Sequence, residues 1–202
     1  MEQYIALGDG LSMDPLLAES PTTPGPASLL ASELARNYKC GKYKNLCRER
    51  SRMSSIWLHG LPSIIASRGQ AVVTITTGLE DLIDAGLESS TPGQIRSSVQ
   101  ETISGYRRLV RTLRRLLPNA LIIGTVVPNP GLLGDATLEL NMGLEEYAYE
   151  TDGFVMAVVS VDAVDGWASR KYYQLNTFGC QAIAAAWLCE IQKAGIPSVV
   201  AA

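Results

Sequence analysis

The stretch Tyr4-Ile5-Ala6-Leu7-Gly8-Asp9-Gly10-Leu11-Ser12 runs as an apolar segment straight into a Gly-Asp-Gly turn. Four apolar residues in a row, closed by a glycine-rich turn, predict a strand over 3–8 that is covered on both faces. Further strands are expected at 43–47, 71–77, 120–126 and 153–160. The runs Ala71-Val72-Val73-Thr74-Ile75-Thr76-Thr77 and Ala120-Leu121-Ile122-Ile123-Gly124-Thr125-Val126 are apolar or β-branched almost throughout, as buried parallel strands require. Helical patterns lie between the strands. One covers Pro26 to Tyr38, after the breaker-rich Pro21-Thr22-Thr23-Pro24-Gly25. A long amphipathic one runs from about Thr91 to Leu117, opened by Thr91-Pro92-Gly93 and stopped by Pro118-Asn119. Others cover about 137–150 and about 176–194, the latter closed by Gly195 and Pro197.

This alternation predicts an α/β fold: a three-layer α/β/α sandwich with right-handed crossovers. The expected sheet is flavodoxin-like, with five parallel strands in the order 2-1-3-4-5. No internal repeat, low-complexity tract or long linker divides the chain, so residues 1–202 are expected to form a single domain. In such a sheet ligands sit beyond the carboxyl ends of the strands. The segments 9–10, 48–52, 78–81, 128–135 and 162–174 are therefore the expected walls of any site.

With 202 residues, 47% hydrophobic, the chain is long enough to bury a full core. A net charge of −3 argues against a nucleic-acid partner, which calls for a basic surface. No apolar run approaches the roughly 20 residues of a membrane span, and the first residues lack a signal-peptide pattern. Cys40, Cys47, Cys180 and Cys189 are too few and too scattered for a disulfide framework, which points to reduced thiols in a cytoplasmic protein. The only histidine is His59, so neither a Cys/His metal site nor any other cofactor is expected.

The motifs, taken in order, resemble the blocks of the SGNH (GDSL-type) ester hydrolases. Leu7-Gly8-Asp9-Gly10-Leu11-Ser12 is similar to the first block, whose Gly-Asp-Ser carries the nucleophile. Asn45-Leu46, followed by Arg48-Glu49-Arg50-Ser51, resembles the second, whose glycine supplies an oxyanion-hole amide. Thr76-Thr77-Gly78-Leu79-Glu80-Asp81-Leu82 resembles the third, Gly-x-Asn-Asp, and Asn141 falls where the family often has an asparagine. Gln174-Leu175-Asn176-Thr177-Phe178-Gly179 resembles the last block, His-Pro-Asn-x-x-Gly.

At every catalytic position implied by the resemblance, this chain carries a different residue. Gly10 replaces the serine, Arg50 the oxyanion glycine and Glu80 the asparagine. Gln174 replaces the histidine, and Lys171 the aspartate three residues before it. Acyl transfer by serine needs a base to take the hydroxyl proton and donors aimed at the oxyanion. Glycine offers no nucleophile, glutamine cannot accept a proton at neutral pH, and a glutamate opposes a developing negative charge. The implied protein keeps the fold without the hydrolytic machinery, as a binding, scaffold or regulatory module.

Several alternatives stay open at this stage. Ser12 is either a displaced nucleophile, paired with Glu80 or Asp9 in an unorthodox ester hydrolase, or a hydroxyl that caps the turn. His59 is expected to be structural or at the surface. Asp9, Gly10, Ser12, Arg50, Glu80 and Gln174 form the candidate site, either as a remodelled pocket for a small polar ligand or protein partner or as ion pairs filling a vacated cleft. Arg50 and Glu80 are expected to pair, because an unpartnered half-buried charge is costly. Arg107, Arg108, Arg111, Arg114 and Arg115 crowd one helix, either as a solvated face or as a surface for an acidic partner.

Overall fold

The computed structural model describes residues 1–13, 24–88, 91–126, 135–159, 168–169, 174–175 and 177–198. Five parallel strands form one sheet in the order β2-β1-β3-β4-β5, as expected. They are β1 (Gln3–Gly8), β2 (Lys42–Cys47), β3 (Ala71–Thr76), β4 (Ala120–Thr125) and β5 (Phe154–Ala157). Every residue of β3 and β4 is buried, which explains their unbroken apolar and threonine sequences. Two helical layers cover the sheet. Helix α1 (Pro26–Tyr38) packs on α6 (Thr177–Lys193), while α4 (Pro92–Leu116) packs on α3 (Leu79–Glu88) and α5 (Asp135–Tyr149).

The register positions the site. β1 lies between β2 and β3, with Gly8 opposite both Cys47 and Thr76. The segments leaving these three strands therefore start side by side, at the end where the sequence placed Asp9, Arg50 and Glu80. Buried hydrogen bonds tie the sheet to the helices: Trp187 Nε1 donates to Thr125 Oγ1 at 2.8 Å, and the Tyr106 hydroxyl donates to the Ile75 carbonyl at 3.2 Å.

Some elements differ from the sequence expectation. β2 is an exposed edge strand: Lys42, Tyr43 and Lys44 face solvent, and Tyr43 stacks on Tyr4 with centroids 5.2 Å apart. Lysines on such an edge discourage pairing with another chain. β5 stops at Ala157, because Val158 turns out to solvent. The segment 78–81, expected as a loop, instead starts α3 at Leu79, directly after Gly78 (φ 109°), with Glu80 and Asp81 in its first turn. Acidic residues suit that end of a helix. After β2, a short helical turn α2 (Met53–Ser55) runs into a π-helix over Ile56–Gly60 and a 3₁₀ turn over Leu61–Ser63. Within the expected loop 162–174, β6 (Ala168–Ser169) pairs antiparallel with β7 (Gln174–Leu175).

The arginine-rich helix is not one solvated face. Arg114 is half-buried and donates to the carbonyls of Pro118, Ala120 and Asp152, stapling the α4 terminus to the starts of β4 and β5. Arg107 lies over the Tyr147 ring and Arg108 over the Trp57 ring, while Arg111 and Arg115 are exposed.

Candidate functional site

The turn after β1 is held almost entirely by its own backbone and by β3. Gly8 sits at φ 140°, and a Cβ there would collide with the Thr76 carbonyl, so only glycine lets the two strands leave the sheet this closely. The Asp9 amide donates to the Thr76 carbonyl at 2.8 Å, and Arg48 N–H donates to the Gly8 carbonyl at 3.0 Å. Asp9 Oδ1 accepts the Leu11 amide at 3.0 Å, closing an Asx-type turn. Ser12 N–H donates to the Asp9 carbonyl at 3.2 Å, and the Ser12 hydroxyl lies 2.6 Å from that of Thr76. Ser12 is fully buried, so it takes the turn-capping role and offers no accessible hydroxyl.

Gly10 is the exposed residue at the top of this turn, and among the described residues no atom lies within 4 Å of where its Cβ would stand. Arg50 stands beside it with φ 51°, the left-handed conformation that favours glycine.

The expected Arg50–Glu80 ion pair is not formed. Among the described residues, the pair at this rim joins Arg52 to Asp84, one turn further along α3 than Glu80. Arg50 is exposed and needs no partner. Its charge and that of Arg52 still act on half-buried Glu80, whose pKa burial and the Asp84 charge push up. Filling of the cleft by an Arg50–Glu80 contact is therefore corrected. Asp9 is only 2% exposed, and among the described residues its Oδ2 meets no hydrogen-bond partner of good geometry, although the Thr76 hydroxyl is close enough to ease its charge. Burial, with the nearby Glu80 charge adding to it, pushes the Asp9 carboxyl up to about 7 against the pull of the Leu11 amide.

Asp81, which the sequence left without a role, accepts the Met53 amide with both carboxylate oxygens at 3.1 and 3.2 Å. It thereby anchors the start of α2 to α3. Its legible signal was Glu80-Asp81 with Asp84 three residues on, the pattern of an acidic first helical turn. Gln174 is on β7, paired with Ser169, while Lys171 lies outside the described residues. Asn141 is on α5, and His59 is exposed on the π-helix, its carbonyl accepting the Ser63 hydroxyl at 3.1 Å.

The other hydroxyls and the thiol at these strand ends are equally unsuited to attack. Thr76 and Thr77 are buried, and burial raises the Cys47 thiol far above its ordinary pKa. Among the described residues, no group of histidine, cysteine, aspartate and glutamate side chains is arranged to hold a metal ion. No helix of those residues is long and apolar enough to cross a membrane.

A second feature was not read from the sequence. A cleft of about 570 Å³ opens between α2, the π-helix and α4, lined by Met53, Trp57, Asp81, Glu101, Gly105 and Arg108 among others. Its signal was the row of small residues Ser98, Thr102 and Gly105, at helical spacing along α4.

No protein-family model and no curated protein sequence matches the chain. Solved structures do match in shape. The lipase Lip_vut3 from a goat rumen metagenome superposes with a TM-score of 0.74 at 16% identity, covering 98% of this chain and 99% of that one. A lipolytic protein of the G-D-S-L family from Veillonella parvula gives 0.70 at 12% identity, covering 96% and 100%. An acetylxylan esterase, Axe2, from Geobacillus stearothermophilus gives 0.68 at 14% identity, covering 94% of each chain. The chain has the three-layer α/β fold of the SGNH (GDSL-type) lipases and esterases.

Proposed function

We propose that this protein is a non-catalytic module on the SGNH fold, one domain over residues 1–202, that binds a small polar ligand at the strand rim around Gly10. The observation that carries the reading is the turn itself. The nucleophile position is a glycine, and the nearest serine in sequence, Ser12, is fully buried with its hydroxyl against Thr76. An attacking hydroxyl must reach the carbonyl carbon and hand its proton to a base. Ser12 satisfies neither condition, and Asp9, the nearest carboxyl, is buried beneath the turn. Exposed Gly10, exposed Arg50 and half-buried Glu80 support a recognition surface with donors and an acceptor. The free thiols of Cys40, Cys47 and Cys189 support a reducing, cytoplasmic setting.

The lipase and esterase neighbours favour a second reading, an ester hydrolase with an unorthodox site. One assay separates the two. Purified protein is incubated with p-nitrophenyl acetate, butyrate and octanoate beside its Ser12→Ala variant. The binding reading expects both to match the buffer blank. Turnover by the wild type that disappears in the variant overturns it.

A further inference from the structure

The outer face of α4 and α5 carries features that the fold does not use. The two helices run side by side in one direction: Arg96 pairs with Glu139 near their starts, and the Tyr147 hydroxyl donates to the Arg107 carbonyl further along. Three of the eight large apolar side chains exposed among the described residues, Leu138, Met142 and Tyr149, lie on α5. Their spacing of four and seven residues puts all three on one stripe of the helix. Tyr149, at the end of that stripe, is 95% exposed. Single exposed apolar residues are ordinary, whereas a continuous stripe marks a contact surface.

Charge divides the same face in two. α5 contains no lysine or arginine; its Glu145 and Glu146, and Glu150 just past its end, are exposed beside the apolar stripe. On α4 all six cations are arginines, and Arg111 and Arg115, one turn apart, are exposed. Among the described residues, none of Arg111, Arg115, Glu145, Glu146 and Glu150 is in an ion pair. Protein–protein interfaces are enriched in arginine, tyrosine and methionine and depleted in lysine, as this face is.

A basic strip beside an acidic one is complementary to itself. Turning a second copy by half a revolution, about an axis normal to the face and between the helices, reverses its helices and sets each α4 on the partner's α5. Arginines then meet glutamates at both ends of the contact, and their apolar stems are long enough to cover the stripe of Leu138, Met142 and Tyr149. An unrelated partner would have to match both strips, whereas a second copy supplies both by symmetry.

We propose that this protein forms a two-fold homodimer through the outer faces of α4 and α5, with Arg111 and Arg115 of each protomer against Glu146 and Glu150 of the other. These residues lie at the ends of the two helices, next to the starts of β4 and β5 and at the opposite end of the sheet from Gly10. The contact therefore does not depend on the rim ligand proposed above.

Sedimentation velocity on the intact protein, from about 2 to about 200 µM in low salt, should show a monomer–dimer equilibrium. Arg111→Glu with Arg115→Glu gives one charge-reversed variant, and Glu146→Arg with Glu150→Arg gives the other. All four side chains are exposed, so both variants should fold, which circular dichroism checks. Each variant alone sets like charges together and should self-associate at least about ten-fold more weakly than the wild type. An equal mixture of the two restores opposite charges at both contacts and should dimerise again. Should either variant fail to fold, Met142→Ser with Tyr149→Ser takes its place, and that protein should be monomeric. A wild type that stays monomeric at about 200 µM overturns the proposal. So does a dimer that the charge reversals or the serine pair leave intact, or a mixture of the reversed variants that stays monomeric, because the contact then lies elsewhere.

Discussion

Replacing Asp9 with asparagine should remove most of the loss of stability that accompanies rising pH. In the folded protein the Asp9 carboxyl titrates at about 7 rather than at its ordinary 3.8, because it is buried and near Glu80. The folded state therefore holds a proton that the unfolded chain has already released between those two values. Stability is fully present below pH 3.8 and is lost as pH rises through about 7. At about 1.4 kcal/mol per pH unit, the whole window is worth roughly 4 kcal/mol, of which roughly 2–3 falls between pH 5 and pH 8. Asparagine keeps an acceptor for the Leu11 amide, which Asp9 Oδ1 holds at 3.0 Å, and removes the charge. It also places an amide where Oδ2 now lacks a partner of good geometry, at a cost of about 1–3 kcal/mol if that group stays unsatisfied.

The two proteins should thus be within about 1 kcal/mol of each other at pH 5, and the variant should be more stable by roughly 1–3 kcal/mol at pH 8. Urea denaturation at the two pH values measures this directly. Glu80 and Asp81 are also raised, mainly by burial, so some residual slope of the same sign should remain in the variant. Parallel stability–pH curves for wild type and Asp9→Asn would refute the reasoning, since the titrating group would then lie elsewhere.

Other substitutions probe the same strand ends. Gly8→Ala should cost more than about 3 kcal/mol or give no soluble protein, because the left-handed φ and the collision with the Thr76 carbonyl act together; a melting curve decides. Gly10→Ser should change stability by no more than about 0.5 kcal/mol, since its Cβ meets nothing among the described residues, and should still hydrolyse no p-nitrophenyl ester. Asp81→Ala should cost about 1–3 kcal/mol in urea denaturation by leaving the Met53 amide without its acceptor. A double-mutant cycle on Arg52 and Asp84 should give a coupling below about 1 kcal/mol that shrinks with salt, as expected of a partly exposed pair.

The buried strands were legible because an alternation of unbroken β-branched runs with helical patterns leaves few arrangements, and the order β2-β1-β3-β4-β5 followed. α3 was not legible as a helix. Its start depends on Gly78 at φ 109°, a backbone state that glycine permits but sequence does not announce. At the rim, strand register brings the segments leaving β1, β2 and β3 side by side, because Gly8 lies opposite both Cys47 and Thr76. The expected Arg50–Glu80 pair gives way to Arg52–Asp84, with both partners displaced. Which carboxylate an arginine meets depends on rotamers and on which side chain water can reach, and here Arg52 meets Asp84. The cleft at Trp57 escaped notice for a related reason: a π-turn adds one residue to the helical period and moves a side chain to a face that 3.6-residue spacing does not predict.

The bonds that close the β1 turn also explain why the fold makes no demand on the side chain at position 10. The turn is closed by the Asp9 carboxyl on the Leu11 amide, by the Ser12 hydroxyl on Thr76, and by backbone bonds from Asp9 and Ser12. None of these bonds uses a side chain at position 10, whose Cβ would meet nothing among the described residues. Gly8, Asp9 and Ser12 beside it are each held by a contact of their own. The turn thus separates a structural frame at 8, 9 and 12 from position 10, whose side chain the frame does not use, and it is the frame that made the fold readable from this stretch.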